Sequence, residues 1–363
     1  MKVKMMSGHT DITAPCPRQV TEAWEARMLA PHAMRSAHSR GRLRAEAPCP
    51  FRTDYQRDRD RVLHSKTFRR LAAKTQVFFD PRTDHDRTRL THSLEVCQVA
   101  RTIARVLRLN EDLTEAIALG HDLGHGPYGH SGEAALDAVY REYDADARFH
   151  HSEQSLRVVE LLEHDGAGLN LTWEVRDGIL HHSKGAADWP REGNIAATLE
   201  GQLVALSDRI AYSSHDIDDA LRAGLLKNSD LPANILARLG DTHSERLSAM
   251  VGDVVQASED LTIIRMTPSM TDLTNQLKNF MYEHIYLTRA MAPTTRAYIQ
   301  RVVTDLFHYY MANADMVPGL DATLPLPRRA RLVCDFIAGM TDSFAEKQFK
   351  RIKDRLCLIT SEQ

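Results

Sequence analysis

The chain has 363 residues, 43% hydrophobic and 26% charged, enough for one large domain or two modest ones with a substantial core. Its 46 Lys and Arg against 49 Asp and Glu leave a formal net charge of −3, which argues against a strongly basic nucleic-acid binder. No apolar run approaches a membrane span, the start lacks an apolar signal core, and the five cysteines contain no CxxC pair. A cytoplasmic protein with no membrane partner is therefore expected, and a thiolate zinc site or disulfide scaffold is not.

In chain order, residues 1–50 carry Pro15, Pro17, Pro31, Pro48 and Pro50 and read as a partly ordered N-terminal arm with one short helix around 21–29. The basic stretch RSAHSRGRLR, 35–44, reads as a solvated tail able to touch phosphates. From Asp54 onward nearly every segment has helical character. Over 90–109, Val96, Val99, Ala100, Ile103, Val106 and Leu107 fall at i, i+3, i+4, i+7 spacing and form one apolar stripe. Further apolar stretches of helical character occupy 113–119, 134–139, 156–162, 195–210 and 302–311. Sustained period-two alternation is missing. Glycines and prolines gather at 120–132, 166–168 and 318–327, the predicted loops. The fold class that follows is all-α, a helical core over 51–220 followed by further helices over 221–363.

The 18 histidines are unevenly spread, concentrated between His85 and His182. The richest segment is GHDLGHGPYGHSGE, 120–133, where His121 and Asp122 end an apolar helical run. An imidazole nitrogen and a carboxylate oxygen suit a borderline-to-hard divalent cation. Two ligands hold a metal poorly, so partners are expected from other helices: His92 in RTRLTHSLEV and Asp208 in VALSDRIAY. That N₂O₂ set leaves positions open for water and substrate. Singly, His92 also fits a core histidine and Asp208 a surface carboxylate; the ordered set with its flanks carries the metal reading. Arg89, one helical turn before His92, reaches the same mouth, and a guanidinium fork suits phosphate. No GxxxxGK[ST] stretch is present, which excludes a P-loop. Asp208, Tyr212 and Asp216, at i, i+4, i+8, line one helical face.

These segments, with DRDRVLHSKTFRRLAAKTQVF, HHSEQSLRVVE and SDRIAYSSHDID, resemble the HD-domain phosphohydrolases, specifically the dGTPase-like deoxynucleoside triphosphate triphosphohydrolases. The resemblance runs from about Asp54 to Asp219 and weakly beyond. It implies the all-helical HD bundle with additional C-terminal helices, assembled as a homo-oligomer for which 221–363 supplies the interface. His92, His121, Asp122 and Asp208 become ligands of one divalent metal ion per subunit, for which Mn²⁺, Mg²⁺, Co²⁺, Fe²⁺ and Zn²⁺ all remain open. The reaction implied is hydrolysis of a dNTP to deoxynucleoside and inorganic triphosphate. His125, Glu133 and His151 match catalytic residues of the family, although Ser152 stands where many relatives read Asn and the doubled His150–His151 leaves a one-residue ambiguity. Arg89 matches a phosphate-binding arginine. His130, Arg209, Tyr212, Asp216 and Gln76 fall on the substrate side, with the last three facing the sugar. His182 and Lys184 are further candidates to border the cleft, and base recognition falls on later residues around 275–289. Three alternatives stay open: another HD phosphohydrolase activity on a nucleotide monophosphate or signalling nucleotide, a nucleotide sensor, and a single-stranded nucleic-acid binder. A second nucleotide or single-stranded nucleic acid also remains open as a regulator.

Overall fold

The computed structural model describes residues 16–76, 87–183, 193, 195–286 and 292–361. The chain is all-α: α1 Pro17–Met28, α2 Asp54–His64, α3 Lys66–Arg70, α4 Arg89–Leu107, α5 Glu111–Gly120, α6 Gly129–Arg141, α7 His151–Arg157, α8 Trp173–His181, α9 Leu199–Arg222, α10 Ala233–Leu239, α11 His243–Ala257, α12 Pro268–Met281, α13 Pro293–Ala312, α14 Leu326–Ala338 and α15 Asp342–Ser361. Among the described residues, extended pairing is confined to the isolated bridges Arg42–Thr172 and Thr75–Thr88. None of the described helices is long and apolar enough to cross a membrane.

Local chemistry sets the helix ends that matter for the site. Thr88 caps α4, accepting from the Thr91 backbone N–H, and Arg108 closes it in the left-handed region at φ 55°. Asn110 caps α5 and Thr198 caps α9. The α4 stripe buries Val96, Val99, Ala100 and Ile103 in one hydrophobic core with Leu113 and Ile117 of α5 and Leu203, Leu206 and Ile210 of α9. At Gly178 of α8 an added Cβ would lie 2.5 Å from Ile117 Cδ1, so this glycine lets α8 and α5 touch.

A second core forms where Leu136, Val139 and Tyr140 of α6 meet Val302, Leu306 and Phe307 of α13 and Val333 and Ile337 of α14. The α5–α6 loop therefore spans two cores. Lys74, fully buried, ties that loop to α14: its ammonium donates to the carbonyl oxygens of His125 and, at 2.9 Å, Ala338. Burial and the neighbouring Arg70 and Arg89 charges pull its pKa down to about 7.

Four expectations are corrected or refined. The predicted 120–132 loop is shorter, because Gly129 through Gly132 open α6. Gly132 is there for space rather than for a turn, since a Cβ would lie 1.9 Å from the Pro127 carbonyl oxygen. The 195–210 helix begins only at Leu199, and 156–162 passes from α7 into a π-helical turn, Val158–Leu162. The basic 35–44 stretch is built into the fold rather than solvated. Arg42 pairs with the buried Asp58 and donates to the Asn170 carbonyl at 2.7 Å, while Arg40 stacks 3.6 Å over Trp173. Buried carboxylates demand donors, and this stretch supplies them: Glu174 accepts from the Arg40 backbone N–H and Glu25 from that of Ser36, each at 2.7 Å.

Candidate active site

Helix α4 presents Arg89 and His92, the end of α5 presents His121 and Asp122, and α9 presents Asp208. His92 Nε2 lies 3.0 Å from Asp208 Oδ1 and 3.9 Å from Asp122 Oδ2, and His121 Nε2 lies 3.4 Å from Asp122 Oδ1. His92, His121 and Asp122 are buried, and the Asp208 side chain is 22% exposed. Burial alone would raise both carboxyl pKa values, but the facing imidazoles, with Arg89 beside Asp122, hold them below the usual range. Burial likewise opposes charge on His92, and Asp208 outweighs it and pushes that pKa up.

His121 Nδ1 is 2.6 Å from the Ala118 carbonyl oxygen. A carbonyl only accepts, so Nδ1 carries the hydrogen and the Nε2 lone pair faces the carboxylates. His182 repeats the device, with Nδ1 2.7 Å from the Ile179 carbonyl oxygen and Nε2 3.9 Å from Asp122 Oδ1. Both Nε2 atoms are buried and lack a hydrogen-bond partner among the described residues. Orphaned imidazole lone pairs aimed at the buried Asp122 carboxylate, with the partly exposed Asp208 beside His92, fit a divalent cation. The groupings with metal-ligand spacing include His92–His121–Asp208 and His121–Asp122–His182.

On the other side of Asp122 stands a second set. Arg89 Nη1 donates to Asp122 Oδ2 at 2.8 Å, while its Nε and Nη2, also buried, have no partner among the described residues. His125 Nε2 lies 3.4 Å from Asp122 Oδ1, and its ring stacks on His151 at 4.0 Å between centroids. Burial and the Arg89 charge keep the His125 pKa well below the ordinary imidazole value. Glu133, on the first turns of α6, holds two imidazoles: its Oε1 is 2.9 Å from His151 Nδ1 and its Oε2 is 3.1 Å from His130 Nδ1. Against burial, Glu133 raises the His151 pKa, and His151 and His130 lower that of Glu133. Of the doubled histidines, His151 faces this group, whereas His150 caps α7 and contacts Ser152 Oγ at 2.9 Å.

Residues 89–213 match the HD domain family and residues 264–351 the phosphohydrolase-associated domain. The chain is 52% identical over 337 residues to a deoxyguanosinetriphosphate triphosphohydrolase-like protein of Caldanaerobacter subterraneus subsp. tengcongensis, covering 92% of this chain and 95% of the relative. It is 46% identical over 350 residues to one from Desulfatibacillum aliphaticivorans, at 92% and 97% coverage. It is 43% identical over 341 residues to one from Clostridium perfringens, again at 92% and 97%. The chain belongs to the deoxyguanosinetriphosphate triphosphohydrolase-like family of HD-domain phosphohydrolases.

Within this HD-domain protein the remaining expected residues separate. Tyr212 and Asp216 follow Asp208 along α9. Burial, with the Asp208 and Asp216 charges, pushes the Tyr212 hydroxyl up to about 12. Gln76 is half-buried with its Oε1 unpartnered among the described residues, and its backbone oxygen and Arg89 Nη2 would lie 3.3 and 3.4 Å from a Cβ at Gly129. The Gly129 position therefore lets Gln76 and Arg89 crowd together. Arg209 does not join them. Its guanidinium is buried against α12, donating to Thr274 Oγ1 at 3.2 Å and Asn275 Oδ1 at 2.7 Å. His85, Lys184 and Arg289 lie outside the described residues.

Three residues of the site carried no assignment, or an undecided one, from sequence: His182, His215 and Tyr286. His215 sits two helical turns after Asp208, within the SSHDID segment, and that spacing was its only signal. Tyr286, in the π-helical turn Tyr282–Tyr286, donates its hydroxyl to Asp216 Oδ2, a pairing nothing in the local sequence announces.

Proposed function

We propose that the chain hydrolyses deoxynucleoside triphosphates to deoxynucleoside and inorganic triphosphate by water attack at the α-phosphorus. The reading is supported by the names of the relatives and carried by one observation. Within a single buried centre, the His121 Nε2 lone pair facing Asp122, suited to a cation, stands beside Arg89 guanidinium N–H groups that have no partner among the described residues and suit phosphate.

His92, His121, Asp122 and Asp208 would hold one divalent cation per subunit. Such a cation supplies Lewis acidity and charge neutralisation at the phosphate. Arg89 spends one nitrogen on Asp122 and offers the other two to phosphate oxygens. The water oxygen bonds to the α-phosphorus as the bond to the 5′-oxygen breaks, and that oxygen leaves with a proton. His125, kept neutral by burial, accepts a hydrogen from the incoming water and orients it. The imidazolium stabilised by Glu133 supplies the proton to the leaving oxygen. Gln76 and Asp216 read the sugar hydroxyl against the ring of Tyr212. A site that binds a hydroxyl discriminates well, because an analogue lacking it leaves buried polar groups unpaired.

The test is chromatography of products from each dNTP and NTP incubated with the purified protein and Mn²⁺, Co²⁺ or Mg²⁺. Intact inorganic triphosphate and deoxynucleoside in equal amounts are expected. Pyrophosphate with a monophosphate, or turnover confined to monophosphates or signalling nucleotides, would replace this reading with another HD phosphohydrolase activity.

A further inference from the structure

His121 and His182 are oriented by carbonyl oxygens of the backbone just before them, whereas His92 is oriented by a side chain. Its Nδ1 lies 2.9 Å from Nε2 of His215, which is fully buried on α9. On its other face, His215 Nδ1 lies 2.7 Å from Asp216 Oδ1. Neither of those two atoms has an aligned hydrogen-bond partner among the described residues, so they face each other as an isolated buried pair. Asp216 turns its second oxygen to the hydroxyl of Tyr286.

We infer that His215 is a positioning residue that orients His92 for the cation and couples the metal centre to the sugar-facing Asp216. The inference rests on the proposed metal reading. If His92 offers Nε2 to a cation, its hydrogen must sit on Nδ1, and Nδ1–H then donates to His215 Nε2. That makes Nε2 of His215 the acceptor and places the His215 hydrogen on Nδ1, against the Asp216 carboxylate. One neutral tautomer of each ring makes the His92–His215 hydrogen bond, and the Asp216 carboxylate 2.7 Å from Nδ1 favours that tautomer by its charge. The carboxylate that orients the ligand is thus the one proposed to meet substrate. A change at the sugar wall should register at the metal, although Asp216 is not a ligand.

The experiment is Mn²⁺ affinity, by chelator competition, of the full chain and three variants, with thermal melting of each to verify folding. His215→Phe removes the acceptor and should weaken Mn²⁺ binding about 10- to 100-fold. His215→Gln offers a carbonyl to His92 and an amide N–H to Asp216, and should recover most of that loss. Asp216→Asn should weaken Mn²⁺ about tenfold from the far end of the chain. A folded His215→Phe that binds Mn²⁺ as the unaltered chain does overturns the inference, as does a Gln variant no better than Phe. Should the Phe variant fail to fold, unchanged Mn²⁺ affinity in Asp216→Asn overturns it alone. If the unaltered chain takes up no Mn²⁺, Co²⁺ or Mg²⁺, the metal reading itself falls.

Discussion

On the α5 and α8 side of Asp122, His121 and His182 spend their Nδ1–H groups on backbone carbonyl oxygens. On the α6 and α7 side, His130 and His151 both turn Nδ1 to the Glu133 carboxylate. The same residue type is thereby prepared for two tasks. A carbonyl oxygen accepts and nothing else, so it fixes one tautomer and leaves a lone pair on the opposite nitrogen. A carboxylate accommodates imidazole and imidazolium alike, so it permits a proton to come and go. The electrostatics follow this division. Burial and the neighbouring His121 and His151 charges pull His182 down to about 3, whereas Glu133 lifts His151 against an equally deep burial.

The largest expected effect comes from the residue both sides share. Asp122→Ala should lower turnover by about 10³-fold or more, since several kcal/mol of charge stabilisation depend on the cation it would hold. Metal content should fall with it while the helical circular dichroism stays. Normal release of triphosphate by that variant would dissolve the distinction between the sides. Next comes Gly124→Ala, whose Cβ would lie 2.1 Å from the Ser155 backbone nitrogen. The change wedges α7, carrying His151, away from the loop carrying Asp122 and His125. A loss of about 3 kcal/mol in denaturant unfolding is expected, the upper end of overpacking costs, because backbone rather than a flexible side chain is struck. An unaltered unfolding midpoint would show that the two sides are less rigidly joined than the contact implies.

A third change separates the sides. Glu133→Gln removes the counter-charge of His151 and His130 and should cost about 10²-fold in kcat with little loss of metal. The pH profile gives the sign. The raised His151 pKa means that the paired imidazolium persists through the ordinary imidazole range and is lost as pH rises through the raised value. The lowered Glu133 pKa means that its charge is lost only as pH falls below the usual carboxylate range. Activity should therefore hold between those limits and fall on the alkaline side first, and the glutamine variant should move that alkaline limb to lower pH. An alkaline limb that stays put would assign it to another group.

How much of this was legible in the sequence depended on the range of the interaction. The α4 stripe reads directly, except for the exposed Val106, because burial at 3.6-residue spacing is a local pattern. The convergence of His92, His121, Asp122 and Asp208 is legible because each sits in a flank matching a known family. The arginines of the 35–44 stretch looked solvated because their partners are remote: Arg42 meets Asp58 sixteen residues on and the Asn170 carbonyl 128 residues on. Gly132 read as loop because glycine marks turns more often than it marks room for a carbonyl. Arg209 follows Asp208 directly in sequence, yet one position on a helix turns it toward Thr274 and Asn275 of α12, a contact no local pattern announces. His215 sat inside a quoted motif, yet only the packing of α4 on α9 shows what its ring nitrogens meet.

The smallest expected effect tests where the division ends. Gln76 precedes α4, next to Arg89 and Gly129, yet its Oε1 is buried without a partner among the described residues and belongs to neither set of imidazoles. An amide whose buried oxygen lacks a partner is under-satisfied until something donates to it, and a sugar hydroxyl is a donor. Gln76→Ala should therefore raise KM for a dNTP about tenfold, the cost of roughly one hydrogen bond to a neutral group. It should leave Mn²⁺ content unchanged. Because the variant no longer reads the hydroxyl, the preference for a dNTP over its 2′,3′-dideoxy analogue should narrow by a similar factor. Lost metal with an intact preference would place Gln76 among the supports of the cation, and the sugar wall would then consist of α9 and Tyr286 alone.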